Sequence, residues 1–252
     1  MPADRHYPDA PDTVYFFGTC LVESVYPQAG LAAMHLLQRE GLRVIFPRNQ
    51  TCCGQPAYNS GFSDEARQVA RQQLKALGRN YPVVVPSGSC AGMMRHHYPG
   101  LFQGRPESGQ AVALAERVFE FTEFMRNVLG VTYEDKGPPI RVTWHSSCHA
   151  MREMQVTEDS KALLHQLAQV ELVELEREDE CCGFGGTFAV KQPAISSAMV
   201  FDKTEDIRQT GVQRLIGGDC GCLMNISGTL EHRRLPVRSQ HIAEFIWERI
   251  HA

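Results

Sequence analysis

The sequence predicts an α/β chain of two pseudo-repeated halves, each with a mostly parallel sheet and cysteines on loops at the C-terminal ends of its strands. Three observations carry this expectation. Short apolar runs of strand character alternate with helical stripes, the signature of βα units. The pattern C…CC…C occurs twice, as Cys20, Cys52-Cys53, Cys90 and as Cys148, Cys181-Cys182, Cys222, with matching members 128, 129 and 132 positions apart. Matched spacing of this kind marks an internal duplication. A chain of 252 residues also divides into two halves of ordinary domain size.

In the first half, Val14-Tyr15-Phe16-Phe17 reads as a buried strand ending just before Cys20. Leu31, Met34 and Leu37 mark a helix stopped at Gly41, and Val44-Ile45-Phe46 is a strand before Cys52-Cys53-Gly54. Ala66, Val69, Ala70, Leu74 and Leu77 form a helical stripe, and Val83-Val84-Val85 is the strand before Cys90. Leu114, Val118, Phe121, Met125 and Val128 predict a helix joining the halves. The second half repeats the order. Val142-Thr143-Trp144 precedes Cys148, Leu163 to Ala168 is helical, and Leu172-Val173-Glu174-Leu175 is a strand before Cys181-Cys182. Ile195 to Ile207 is helical, Val212 to Ile216 is a strand before Cys222, and Ile242, Phe245, Ile246 and Ile250 form a terminal helix. The expected division is 1–130, a linker at 131–139 centred on Glu134-Asp135-Lys136-Gly137-Pro138-Pro139, and 140–252.

Composition narrows the function. With 43% apolar and 21% charged residues the chain is that of a globular protein. A net charge of −4 with scattered basic residues predicts no nucleic-acid partner. Nine cysteines are an odd count. The N-terminus (Met1-Pro2-Ala3-Asp4-Arg5-His6-Tyr7) lacks the apolar core of a signal peptide, and no apolar run approaches the ~20 residues of a spanning helix. Reduced thiols in a cytoplasmic protein without a transmembrane segment are therefore expected. No G-x-G-x-x-G follows the first strand and no G-x-x-x-x-G-K-[ST] loop exists, so nucleotide binding has no support.

In a parallel sheet, ligands bind beyond the carboxyl ends of strands. That places Cys20, Cys52, Cys53 and Cys90 on adjacent loops of one edge, and Cys148, Cys181, Cys182 and Cys222 on another. Three uses compete for four converging thiols. Structural zinc favours C-x-x-C knuckles, and the chain has none; its only near pair is Cys220-Gly221-Cys222. Packed core cysteines are the plain alternative. An iron–sulfur cluster, one or two of the 4Fe–4S type, suits four loop-borne thiolates best. The anionic cluster must be solvated by backbone N–H groups, a task glycine eases. Gly54, Gly88, Gly183, Gly185 and Gly186 are accordingly the candidate cofactor-binding glycines. Adjacent cysteines on a strand point to opposite faces, so both members of a pair reach one cluster only from a turn. Otherwise one of them stays a free thiol, and a thiol–disulfide enzyme is an alternative reading. Cys220 is either a fifth ligand of the second site or an uninvolved thiol.

His145 and His149 flank Cys148 and are the candidates for catalytic proton transfer, cluster ligation or N–H···S bonding. His96 and His97 after Cys90, with Arg95, Arg152 and Lys191, are weaker candidates that serve equally well as solvated side chains.

The motifs Phe16-Phe17-Gly18-Thr19-Cys20, Thr51-Cys52-Cys53-Gly54-Gln55-Pro56, Val85-Pro86-Ser87-Gly88-Ser89-Cys90, Cys181-Cys182-Gly183-Phe184-Gly185-Gly186-Thr187-Phe188 and Gly221-Cys222-Leu223-Met224-Asn225 resemble the cysteine-rich CCG-repeat family. Within it they are most similar to the lactate-utilization protein A family of iron–sulfur-binding oxidoreductase subunits, over roughly 14–246. The resemblance implies a part in oxidising L-lactate to pyruvate, or glycolate as runner-up. It also implies two companion subunits, one ferredoxin-like, and a small 2-hydroxy acid as substrate of the complex. Related domains occur in the CCG-bearing subunit of heterodisulfide reductase and in the glycolate oxidase iron–sulfur subunit. The former ends each motif in C-x-x-C, where this chain has Met93 and Asn225 in place of the last cysteine. Four thiols per half remain, enough for a cubane. Ser146 stands where relatives often carry Asp.

Overall fold

A computed structural model describes residues 5–252; the expectation for the N-terminal stretch falls partly on Met1 to Asp4, which lie outside them. The first half builds a four-stranded parallel sheet from β1 (Thr13–Phe16), β2 (Arg43–Ile45), β3 (Val83–Val85) and β4 (Val118–Glu120), in the order β2-β1-β3-β4. The second builds the same sheet from β5 (Ile140–His145), β6 (Val170–Leu172), β7 (Arg214–Gly217) and β8 (Arg238–His241), in the order β6-β5-β7-β8. The duplication read from the cysteines is thus a duplication of topology. In each sheet the chain leaves the first strand toward one side and returns on the other. This creates a switch point between β1 and β3, and between β5 and β7, where loops splay apart and ligands bind. Cys20 follows β1 and Cys90 follows β3, so the two flank the first switch point; Cys148 and Cys222 flank the second.

The helices follow the apolar periodicity. Pro27–Arg39 buries Ala29, Ala33, Leu36 and Leu37, begins on a proline whose missing N–H costs nothing there, and ends before Gly41 at φ +85°. Ser63–Ala76, Pro193–Thr210 and Ile242–His251 also occupy the expected segments.

Two expectations are corrected. The stripe from Leu114 to Val128 is not one helix: helix Ser108–Arg117 ends, β4 pairs with β3, and a new helical segment starts at Phe121. Glu120 is responsible, because its carboxylate accepts the N–H groups of Thr122 and Glu123 while Glu123 accepts the N–H of Glu120. That reciprocal cap starts a helix where the periodicity alone runs on. The strand expected at Leu172–Leu175 lies earlier, at Val170–Leu172, because register with β5 pairs Ile140 with Val170. Strand β8 carries no apolar signal, being Arg238-Ser239-Gln240-His241, and forms by pairing with β7.

The two sheets share one core. Val14, Phe16, Leu36 and Leu37 of the first half cluster with Val142, Trp144, Phe245 and Ile246 of the second. The segment between the halves is pinned as well: Val131 and Tyr133 join this core, and Arg249 makes a buried ion pair with Asp135 while also donating to the Pro138 carbonyl.

Candidate metal centre

Each cysteine is placed by a local device. Thr19 caps the helix Cys20–Ser24 by accepting the Val22 N–H at 3.3 Å, and does so at φ +51°, an unusual conformation for a β-branched residue. In the second half Ser147 accepts the Ala150 N–H at 3.2 Å, so Cys148 is set the same way. Cys90 sits in the first turn of Gly88–Gly92 and Cys222 in the first turn of Cys220–His232.

The CCG turns match closely. Gly54 has φ +90° and Gly183 φ +79°, values that cost a side-chain-bearing residue strain. Each donates its N–H back to the first cysteine of its pair, Gly54 to Cys52 Sγ and Gly183 to Cys181 Sγ, both at 3.4 Å. A Cβ would lie 3.0 Å from the Ala66 carbonyl at Gly54 and 2.7 Å from the Ser196 carbonyl at Gly183. The turn therefore presses against the following helix in both halves. Gly185 and Gly186, also at positive φ, line the cavity described below. Gly88 does something different: its Cα face abuts Ala150 of the other half, 2.5 Å from where a Cβ would stand, so it permits the halves to meet.

The turn also resolves how adjacent cysteines share a site. Cys20 and Cys52 sulfurs are 3.8 Å apart and Cys53 and Cys90 sulfurs 3.2 Å apart. The second half repeats this, with Cys148 hydrogen-bonded to Cys181 and Cys182 to Cys222. All eight thiols are free. Each set holds one thiol whose pKa is lowered by its neighbours. Cys52 is held far below the ordinary thiol range by the bond from Cys20, then by Cys53 and the Gly54 N–H; Cys181 is held down likewise by Cys148 and Cys182. Their neighbours Cys20 and Cys148 are pushed up by donating those bonds and by burial.

Both sets open into one cavity between the halves, lined by all nine cysteines together with Ser87, Ser89, His149 and Asp219. Asp219 is the residue that sequence reasoning missed. It caps the helix Cys220–His232 through Gly221 N–H and reaches across to accept from Ser89 N–H at 3.0 Å and Ser87 Oγ at 3.2 Å. One carboxylate thus ties the Cys222 helix to the Cys90 loop. Its position just before a helical cysteine is a capping signal, but its second partner is visible only in three dimensions.

The remaining candidates separate. His145 is fully buried, with both ring nitrogens lacking a partner among the described residues, and lies within 4.8 Å of the Cys182 and Cys222 sulfurs. His149 lines the cavity with Nδ1 3.5 Å from Cys148 Sγ. His97 is away from the thiols, bound to Glu153 at 3.1 Å. Arg95 is consumed by Glu123 and the Val118 carbonyl, Arg152 reaches the Asp179 carbonyl, and Lys191 lies over the Phe62 ring. Cys220 packs with Val22, Ala29, Leu21 and Tyr26, and burial raises its thiol well above the ordinary range. Met93 is fully buried in the core, and Asn225 donates its amide to the Cys182 carbonyl at 2.8 Å, bracing the CCG turn. Ser146 donates to Glu178 at 2.7 Å, so a neighbouring residue supplies a carboxylate beside that position.

Comparison with known proteins agrees with this geometry. The CCG cysteine-rich domain model matches twice, over residues 14–95 and 142–227. Each match encloses one cysteine set. The chain belongs to the CCG cysteine-rich family. Among its relatives, lactate utilization protein A of a Geobacillus species is 45% identical over 236 residues, covering 92% of this chain and 98% of that protein. Lactate utilization protein A of Bacillus pumilus is 43% identical over 236 residues, with the same coverage of both chains. A hypothetical protein from Helicobacter pylori shares the fold at a TM-score of 0.64 and 10% identity, over 98% of this chain and 50% of that longer one.

The CCG fold in this chain presents a cysteine-rich centre capable of binding metal. The residues fit an iron–sulfur group: free thiols in two sets of four, glycine N–H groups aimed at sulfur, and an orphaned buried imidazole beside the second set. Among the described residues no helix is long and apolar enough to cross a membrane.

Proposed function

We propose that this chain is an iron–sulfur-binding subunit of a system that oxidises L-lactate to pyruvate, and that it passes the electrons to partner subunits. Cys20, Cys52, Cys53 and Cys90 hold one 4Fe–4S cubane, and Cys148, Cys181, Cys182 and Cys222 hold another. Bound there, the clusters supply one-electron acceptance and release. Two companion subunits, one ferredoxin-like, complete the system. The observation that carries this reading is that both four-thiol sets open into the same cavity. Two electrons leave a hydroxy acid when it becomes a keto acid, and two adjacent one-electron centres match that number. The relatives named lactate utilization protein A supply the substrate class.

The chain's own residues do the supporting work. Gly54 and Gly183 direct N–H groups at sulfur, which offsets the negative charge of bound thiolates. Asp219 holds the Cys90 and Cys222 loops in fixed relation. Leu21, Phe184 and Pro56 line the cavity and limit water near the thiols. Anaerobic purification with iron, zinc and acid-labile sulfide analysis tests the reading. A brown protein with iron and sulfide in equal amounts supports it. Colourless protein with stoichiometric zinc sinks it in favour of a structural zinc subunit. A cluster-free protein that reduces disulfides favours a thiol–disulfide enzyme. Aerobic handling is to be avoided, since loss of the clusters leaves thiols free to pair.

A further inference from the structure

The duplication makes each residue of one half a control for its counterpart in the other. Behind the thiols that control reveals a substitution. Phe17 ends the first strand region and clusters with Cys53 and Cys90. One repeat later, 128 positions on, the same place holds His145, beside Cys182 and Cys222. Phe17 is an apolar wall with no demands. His145 is an imidazole sealed from solvent at 1% exposure, with neither ring nitrogen partnered among the described residues. Leaving a buried donor unsatisfied costs about 1–3 kcal/mol. Such a group persists where something absent from the polypeptide completes it.

The neighbouring groups are sulfurs that become thiolates when they hold metal, and a thiolate accepts a hydrogen bond. The ring is sealed from solvent, and burial disfavours its charged form. A neutral imidazole offers one N–H. Lys203 itself is buried, bonded to the Arg177 carbonyl, and stands close enough to Cys182 and Cys222 for charge interaction with both.

We propose that the two centres are unequal, with His145 donating its ring N–H to a thiolate of the second set, so that the group held there is reduced at a more positive potential than the group held by the first set. An N–H···S bond stabilises the more electron-rich state of a cluster and so favours reduction. A more positive second centre would make the second half the place where electrons entering the cavity collect. This inference rests on the iron–sulfur reading above.

The test uses the anaerobically purified full-length chain, with EPR-monitored redox titration of His145→Phe and His145→Gln. Cys53→Ser, which removes a first-set ligand, assigns the signals. His145→Phe installs the residue the first half already uses. It is expected to shift the second centre to a more negative potential, toward that of the first, and to leave the first unmoved. His145→Gln keeps an N–H donor and is expected to shift it less; it also serves where His145→Phe fails to retain the second cluster. Weak nitrogen coupling in pulsed EPR of the wild type, lost in His145→Phe, is the second expected result. An unmoved second potential in both variants, or equal shifts at both centres, overturns the inference. Strong nitrogen coupling, the mark of direct ligation, overturns it in favour of a histidine ligand. Wild-type protein without iron and sulfide overturns the iron–sulfur reading and this inference with it. Iron-loaded protein with unmoved potentials overturns this inference alone.

Discussion

The first and second halves agree at the thiols and differ behind them. Gly54 and Gly183 adopt the same turn, point N–H groups at matching sulfurs and press on matching carbonyls of the following helices. Yet Phe17 corresponds to His145, Gly88 to Cys220, and Met93 to Asn225 across the repeat. Backbone devices that position sulfur are retained because they depend on chain direction and positive φ, which few residues satisfy. Side chains one layer out diverge together with the residues they touch. The Gly88 and Cys220 pair shows how. Gly88 meets Ala150, and 132 and 128 positions away Cys220 meets Val22. The ninth cysteine is the second half's filler for a contact that the first half makes with no side chain.

The largest expected effect breaks the equivalence outright. Cys53→Ser and Cys182→Ser should each remove about half of the bound iron, the share of one cubane in two, while Cys220→Ala leaves iron unchanged. Iron and sulfide analysis reads the outcome. If either serine variant empties the protein completely, the two sets share a single group across the cavity.

Smaller effects sharpen the comparison of the turns. Gly54→Ala and Gly183→Ala should each destabilise the fold by about 1–3 kcal/mol through strain at positive φ. Gly183→Ala should cost more, since its Cβ would stand 2.7 Å from a carbonyl against 3.0 Å at Gly54. Urea denaturation of the cluster-free proteins measures both.

Effects that appear only as pH changes concern the ends of the fourth strands, where Glu120 and His241 each start a helix while buried. Burial raises Glu120 from 4.5 to about 8 and lowers His241 from 6.5 to about 4. Folded protein thus holds a proton on Glu120 that unfolded chain gives up above pH 4.5, and that contribution is lost as pH rises toward 8. His241 works in reverse: its contribution is complete above pH 6.5 and is lost as pH falls toward 4. Each has a limiting slope of about 1.4 kcal/mol per pH unit. Glu120→Gln should flatten the loss of stability on the alkaline side, and His241→Asn the loss on the acid side. Urea midpoints from about pH 5 to 8 will show opposite changes, and parallel changes would refute the assignment.

Legibility in the sequence followed the range of the interactions. Strands β1, β2, β3, β5 and β7 were readable because each carries a short apolar, β-branched or aromatic run. Strand β4 was hidden inside a helical stripe, since Val118 and Phe119 suit either period until β3 supplies hydrogen-bond partners. Strand β8 was invisible, since Arg238-Ser239-Gln240-His241 has nothing apolar to report and pairs only because β7 lies beside it. At the site, the eight matched cysteines and the CCG glycines stood out through spacing. Asp219 did not, because its hydrogen bonds to Ser87 and Ser89 join residues about 130 positions apart.

By itself, the amino-acid order determined that the chain is a duplication, that eight of nine cysteines form two sets, and that these follow strands of parallel sheets. All three are matters of period and spacing, properties of a one-dimensional string. Tertiary structure alone decided that both sets face one cavity, that Cys220 packs with Val22, that Gly88 lies against Ala150, and that His145 lies orphaned beside the second set. Those follow from how two sheets share a core, and no local pattern encodes the angle at which one half meets the other.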